Sequence, residues 1–271
     1  MAGLTALVLA GTRAGGDPMA AYAGVSHKAL IEVAGTTMIE RVVGALAAAP
    51  EVGRIVIAID RPGLLDGLPG LVACAKPLST MPTAEGPSAT VALALAHEKT
   101  PLLVTTADHA LLQTAWVQEF LAACPADADV AAALAPRPAV EAAAPATRRT
   151  WLRFTDGDFS GCNLFLMAGP AAAGAVDLWR EMERLRKEPL RMMQRLGWSF
   201  ALRYRLGWLS SKAAAARLGA LSRGARLALV EMRDGRAAID VDKPEDLELV
   251  RVLAQAAGVA PAGQPEASSR T

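Results

Sequence analysis

Hydrophobic runs of strand length alternate along this chain with longer stretches of helical period. Leu4–Ala10 (LTALVLA) is apolar almost throughout, as a strand covered on both faces must be, and a glycine-bearing segment, Gly11 to Gly24, follows it. Thr36 to Ala48 reads as a helix, and Arg54–Asp60 (RIVIAID) as the next strand, closed by the breaker Arg61-Pro62-Gly63. The pattern then predicts a short strand over Gly70–Ala75, a helix over Ser88–His97 and a strand over Pro101–Thr106 (PLLVTT). A helix over Thr114–Ala123 and strands over Asp129–Leu134 and Asn163–Met167 complete the series. Such alternation specifies an α/β fold, a mostly parallel sheet with helices on both faces. Ligands of such sheets sit beyond the carboxyl ends of the strands, so the loops after Ala10 and Thr106 are where chemistry is expected.

Three stretches leave this pattern. Pro136 to Thr147 (PRPAVEAAAPAT) reads as a Pro/Ala-rich loop, and 258–271 as a disordered tail behind a domain spanning 1–257. Residues 177–226 read as a helical insertion of two or three amphipathic helices broken near Pro189 and Ser210. This insertion holds 12 Lys+Arg against 4 Asp+Glu, a net +8 inside a chain of net +1, and three of the five tryptophans: Trp179, Trp198 and Trp208. Two readings stand side by side. The insertion packs its aromatics inward and solvates its arginines, or lays a basic, aromatic face on an anionic membrane or a lipid-linked substrate, and both can hold for different faces.

Composition narrows the class. At 271 residues, 52% hydrophobic and 20% charged, the chain can bury a substantial core and is neither disordered nor fibrous. Its net charge of +1 argues against a nucleic-acid partner. Cys74, Cys124 and Cys162 are far apart and form no CxxC, which disfavours a zinc site or a disulfide framework. The N-terminus lacks a basic region before its short apolar run, and no stretch approaches membrane-spanning length. A cytoplasmic protein is expected, with a place at the inner membrane face if the insertion meets lipid.

Three segments could carry chemistry. The loop Ala10-Gly11-Thr12-Arg13-Ala14-Gly15-Gly16, leaving a strand, could wrap its amides around phosphate oxygens, with Arg13 and Lys28 adding positive charge. It is neither GxGxxG nor GxxxxGK[ST]. Asp108, in Thr105-Thr106-Ala107-Asp108-His109 at a strand end, suits a Mg²⁺ ligand beside substrate phosphates, or the cap of a turn. In Asp240-Val241-Asp242-Lys243-Pro244-Glu245, Asp242 with Glu245 makes a capping-box-like helix start, which leaves Asp240 as the better metal ligand.

Taken in order, LVLAGTRAGGDP, SHKALIEVAG, TTMIERVVGAL, Gly86-Pro87-Ser88-Ala89-Thr90, LLVTTADHALL and DVDKPEDL resemble the nucleotidyltransferase superfamily. That superfamily includes the molybdenum-cofactor and the sugar-phosphate or alditol-phosphate nucleotidyltransferases. The resemblance covers residues 4–167 and 236–255. It departs from the family's opening motif at Thr12, which stands where a second glycine is usual, and in a longer loop before Lys28. Arg13 thus stands in for the family arginine from a shifted position. The segment 177–226 has no counterpart in the small members.

The resemblance implies a three-layer α/β/α, Rossmann-like (GT-A-like) fold. It implies an enzyme that joins an NTP to a phosphorylated acceptor with Mg²⁺ and releases pyrophosphate. By this analogy Ala10, Gly11, Thr12, Arg13, Gly15 and Gly16 hold the departing β- and γ-phosphates. Arg13 and Lys28 are the catalytic cations, with Lys28 at the α-phosphate or the acceptor. Asp108 and Asp240 hold Mg²⁺, and Gly86, Ser88 and Thr90 line the base or ribose pocket. CTP is carried as the working nucleotide, and a lipid or polyol phosphate as the acceptor suggested by the insertion. The alternatives are a glycosyltransferase using a nucleotide sugar, which would want a D-x-D where Thr106-Ala107-Asp108 stands, and a non-catalytic nucleotide-binding or membrane-adaptor protein.

Overall fold

A computed structural model describes residues 3–12, 16–98, 100–145 and 147–256. Ten strands form: β1 (Leu4–Leu9), β2 (Glu32–Val33), β3 (Thr36–Thr37), β4 (Val52–Ala58), β5 (Leu78–Met81), β6 (Leu102–Thr106), β7 (Val130–Pro136), β8 (Leu152–Phe154), β9 (Gly157–Met167) and β10 (Leu227–Glu231). Eight of them build one sheet in the order β10-β7-β9-β6-β1-β4-β5, with β8 paired to β9. The pairings β1–β4, β1–β6, β4–β5 and β7–β10 are parallel, and only β9 and its partner β8 bring antiparallel contacts. The remaining two, β2 and β3, make a small separate ladder.

The unbroken apolar run of β1 has the expected cause. Ala6 and Val8 belong to the core on one face of the sheet, with Ile39, Val43, Leu46, Trp116, Phe120, Val140 and Val250 from helices Met38–Ala48, Thr114–Ala123, Arg137–Ala143 and Pro244–Ala256. Leu7, between them, points the other way, into a second core with Val91 and Val176 from helices Pro87–His97 and Ala172–Leu185. Successive strand residues face opposite sides, so a strand between two helical layers is apolar at every position. The three-layer α/β/α arrangement follows. Helix Met38–Ala48 starts at a capping box: the Thr37 hydroxyl and amide both donate to the Glu40 carboxylate, and the Glu40 amide donates back to Thr37 Oγ1.

Several boundaries differ from the sequence pattern. Gly70–Ala75 is not a strand. Pro69, at the first position of a helical turn, commits Pro69–Val72 to helix, and the edge strand is the more polar Leu78–Met81. Pro136–Thr147 is not all loop, since Arg137–Ala143 is helical with Val140 buried against the sheet. The insertion breaks at Gly197 (φ 103) as well as near Pro189 and Ser210, giving helices Pro189–Leu196, Trp198–Arg205 and Ser211–Leu221. The expected tail over 258–271 lies outside the described residues.

Topology decides where the chemistry gathers. From β1 the chain runs outward through β4 to β5, then returns to β6 on the other side of β1. A crevice opens at that reversal, between the carboxyl ends of β1 and β6. Because β1, β4, β5, β6, β7 and β10 all point the same way, the loops after each of them emerge at this edge.

Candidate active site

The loop after β1 and the loop after β6 are adjacent, the Ala107 amide donating to Leu9 O at 2.9 Å. Asp108 therefore stands beside the glycine loop. Arg13 and Gly15 lie outside the described residues. Gly11 is confined: a Cβ there would sit 2.9 Å from Thr83 Cγ2, in the loop after β5. Ala10 is fixed by its amide to Ala58 O at 2.8 Å. Gly16 uses a left-handed φ of 92. The Thr12 amide donates to Asp60 Oδ1 at 3.1 Å, so it is turned towards the end of β4.

Asp60 has a second partner that the sequence reading passed over. His27, 1% exposed, accepts the Ala29 amide on Nδ1, so its Nε2 carries the proton and faces Asp60 Oδ1 at 3.3 Å. Burial alone would raise the Asp60 carboxyl, but backbone donors, His27 and Thr12 outweigh it and hold it low. Arg61 adds a bond from Nη2 to Ser26 O at 2.5 Å. Together these tie the turn Lys28–Leu30, which His27 caps, to the end of β4.

Lys28 projects from that turn into a group of acids. Its Nζ lies 2.5 Å from Asp108 Oδ2 and 3.2 Å from Asp242 Oδ1. Burial works against the ammonium, yet the charges and hydrogen bonds of Asp108 and Asp242 prevail and raise its pKa above the ordinary lysine value. Asp108 Oδ1 is buried and has no hydrogen-bond partner among the described residues. The loop after β10 closes against this strand end, the Val241 amide donating to Asp108 O at 3.2 Å.

Asp240 is gripped from two sides. Arg149, from the loop after β7, binds its Oδ1 and reaches Asp246 Oδ1 at 3.4 Å. Asn163 Nδ2 donates to its Oδ2 at 2.7 Å. Asn163 sits at φ 47, where the β7–β9 register shifts between Ala132 and Leu134, so a bulge with a left-handed Asn aims this amide. Burial first, then Asp108 and Asp242, raise the Asp240 carboxyl despite Arg149. Asp242 does not cap the final helix as its spacing predicts. The Asp246 carboxylate takes the Asp242 and Lys243 amides, at 3.2 and 3.0 Å, and the Asp242 side chain is left for Lys28.

Charge bookkeeping over this cluster is informative. Among the described residues, Asp108, Asp240, Asp242 and Asp246 pair with two cations, Lys28 and Arg149, so this ionised set carries a formal −2. Asp242 is more than half exposed, but Asp108, Asp240 and Asp246 are mostly buried, and a surplus of negative charge there favours a cation. Among the described residues no three Asp, Glu, His or Cys side chains gather as a complete metal cluster. The donor set fits a divalent ion that takes one or two carboxylates and completes its shell with water and substrate phosphate, as Mg²⁺ does.

The residues placed in the base or ribose pocket divide. Gly86 and Ser88 line a cavity of about 290 Å³ with Arg180, Glu183, Arg184 and Lys187. The Ser88 hydroxyl and amide both donate to the Glu183 carboxylate, which no local sequence signal foretold. Thr90 is buried and structural: it accepts the Ala84 amide at 3.0 Å and donates to Gly86 O at 2.9 Å, holding the loop that Gly86 ends. His27, Asp60, Arg149, Asn163, Asp242 and Glu183 are thus additions that the fold supplies.

Comparison with known proteins follows the same lines. The family model for the MobA-like NTP transferase domain matches residues 6–206. Among solved structures, a hypothetical transferase from Thermus thermophilus is 33% identical, with a TM-score of 0.77, over 90% of this chain and 99% of its own. The 4-diphosphocytidyl-2C-methyl-D-erythritol synthase of Anaerococcus prevotii is 8% identical, with a TM-score of 0.58, over 94% of this chain and 100% of its own. CMP:2-keto-3-deoxy-manno-octonic acid synthetase complexed with CTP is 15% identical, with a TM-score of 0.57, over 94% of this chain and 99% of its own. The last two share the fold. Curated protein sequences provide no match.

Proposed function

The chain belongs to the MobA-like NTP transferase family and is a nucleotidyltransferase, and we propose that it moves the cytidylyl group of CTP onto a phosphorylated acceptor with release of pyrophosphate. The acceptor belongs to the lipid or polyol phosphates and is met in the cytoplasm at the inner membrane face. The observation that carries this reading is Lys28, held between Asp108 and Asp242 at the crevice where β1 and β6 diverge. CTP is favoured because two structural neighbours carry cytidyl nucleotides in their names.

The reaction needs positioning and charge more than proton transfer. An acceptor phosphate oxygen, already ionised near neutral pH, attacks the α-phosphorus. A P–O bond forms there, the bond to the β-phosphate breaks, and pyrophosphate leaves with that electron pair. Two anions must meet, so fixed cations and amides lower the barrier. Lys28 has three ammonium hydrogens and spends two on Asp108 and Asp242, which leaves one for a phosphate oxygen. Arg13 and the amides around Gly11 and Gly16 steady the leaving pyrophosphate. Gly86 and Ser88 border the nucleoside side. Asp108 and Asp240 are the residues that would hold Mg²⁺, which would supply neutralisation of phosphate charge.

The test is a thermal-shift panel of CTP, GTP, UTP and ATP with and without Mg²⁺, on the wild type and Asp108→Ala. Pyrophosphate release is then followed with lipid and polyol phosphates. A Mg²⁺-dependent rise in midpoint for CTP alone, lost in the variant, is the expected result. A shift for another nucleotide overturns the choice of CTP. No shift with any nucleotide overturns the whole reading.

A further inference from the structure

Helices Pro189–Leu196 and Trp198–Arg205 contain no buried residue, although they carry Leu190, Met192, Met193, Leu196, Trp198, Phe200, Leu202 and Tyr204. Among the described residues, six of the nine exposed large hydrophobic side chains fall between 190 and 208: Leu190, Trp198, Leu202, Tyr204, Leu206 and Trp208. Trp198 is 56% exposed, Leu202 58% and Trp208 65%. Trp198, Leu202 and Leu206 recur at intervals of four, which lines them along one side of a helix. Exposed large apolar side chains concentrated in so short a segment mark a surface built to meet something.

The pair is anchored from its other side. Arg195 Nε bonds both oxygens of Glu181 at 2.8 Å, and Arg217 Nε donates to Leu196 O at 2.9 Å. The Tyr204 ring stands edge-on to Phe154 at the tip of the β8–β9 hairpin, with its hydroxyl near the Arg153 amide. Those contacts fix the helices to the body and leave the stripe facing outward. The inward-packing reading of the insertion therefore holds for Trp179, which meets Phe165 at 5.8 Å, and fails for Trp198 and Trp208.

We propose that this face docks the protein on an anionic lipid bilayer, with Trp198, Leu202, Leu206 and Trp208 entering the headgroup boundary. From 186 to 208 there are six Lys/Arg and one acid, Glu188. That excess matches a negatively charged leaflet, and it repels a second copy of the same face. Each helix has eight residues, far too short to cross a bilayer, so the pair lies on the surface. Tryptophan suits that depth, with an apolar ring and a polar N–H.

The docking face also adjoins the site. Arg186 and Lys187 line the cavity that Gly86 and Ser88 border, and the exposed Leu190 follows three residues later. Docking would set that cavity's mouth near the lipid headgroups, so that a nucleotide bordered by Gly86 and Ser88 would meet a phosphate carried on a lipid. This last step rests on the proposed transferase reading. The docking itself does not.

The experiment is cosedimentation of the full chain with vesicles of phosphatidylcholine and phosphatidylglycerol in equal parts, against pure phosphatidylcholine. It is read together with tryptophan emission and done without nucleotide. The expected result is binding to the mixed vesicles at low salt with a blue shift, weakened by high salt. In W198A/W208A it should fall about tenfold, with an unchanged thermal midpoint and CTP shift. L202E serves as a second variant should the first fail to fold. No sedimentation at low salt, equal binding to neutral vesicles, or equal binding by a folded variant overturns the proposal. So does a lipid-free dimer that the same substitutions dissolve, since the face would then belong to a second copy. Because vesicle binding is read without turnover, an inactive protein that docks leaves this inference standing and removes only the transferase reading.

Discussion

Lys28 is one side chain that serves two carboxylates and, in the proposed reaction, a phosphate as well. Replacing it by methionine keeps the stem and removes the charge. Turnover of Lys28→Met is expected to fall about 100- to 1000-fold, as when one donor to a developing anion is lost. Circular dichroism should remain that of the folded protein. Lys28→Arg should restore little, because a planar fork cannot replace a point charge between two acids. Comparing kcat and thermal midpoint in the same preparations separates chemistry from folding. Arg149 presents the opposite case. Its side chain is 9% exposed and holds Asp240 and Asp246, so Arg149→Ala leaves two nearly buried carboxylates unpaired. A loss of about 3 kcal/mol is expected. If Asp240 takes a divalent ion, Mg²⁺ should raise the melting midpoint of this variant more than that of the wild type. Calorimetry with and without Mg²⁺ reads this, and equal shifts would remove Asp240 from the metal site.

At the scale of elements, the acidic loop after β10 is held by packing that its own sequence does not announce. The turn Gly235–Ala238 lies against helix Arg137–Ala143 so closely that a Cβ on Gly235 would be 2.2 Å from the Ala139 carbonyl. No side-chain movement relieves a clash with backbone. Gly235→Ala is expected to destabilise by about 3 kcal/mol and to lower activity, by moving either the loop that bears Asp240 or the helix that precedes Arg149. Chemical denaturation checks the first part, and a normal stability would show that the two elements can part without penalty. This contact also explains why Pro136–Thr147 was misread as loop. Its proline and alanines carry little periodicity, and only burial of Val140 against the sheet makes the helix worthwhile. The predicted strand at Gly70–Ala75 failed for the reverse reason. Apolar residues stood at an acceptable spacing, but Pro69 favours a helix start, while β5 is an edge strand whose half-polar sequence carries a weak signal.

For the molecule as a whole, acid stability should reflect His109. Its ring is fully buried beneath the β6 end, 6.1 Å from Trp116, and burial lowers its pKa to about 4 despite Asp108. The unfolded chain binds that proton near 6.5, so the unfolded state gains protons first as pH falls. Stability is full above 6.5, declines between 6.5 and about 4, and this contribution levels off below. The decline should amount to about 3 kcal/mol for this residue. Denaturant titrations across that window test it, and His109→Gln should flatten the slope.

The α/β class, the strands β1, β4, β6 and β7 with the helices Met38–Ala48, Pro87–His97 and Thr114–Ala123 among them, and the strand-end places of Asp108 and the glycine loop were legible in the sequence. The reason is that local periodicity and an ordered set of short motifs are properties of neighbouring residues. The partners were not legible. Asp60, Arg149, Asn163 and Glu183 reach the site from loops, a strand and a helix tens of residues away, through the reversal of strand order at β1 and a bulge in β9. Asp242 shows the limit most clearly, because its spacing pointed to a helix cap and its side chain meets Lys28 instead. What settled it was Asp246 taking the amides first, with Lys28 brought within 3.2 Å across 214 residues of chain. Sequence determines which groups are available and which elements carry them. Which charges meet is decided by tertiary packing, since burial leaves each carboxylate only the partners that the sheet's topology brings to the same edge.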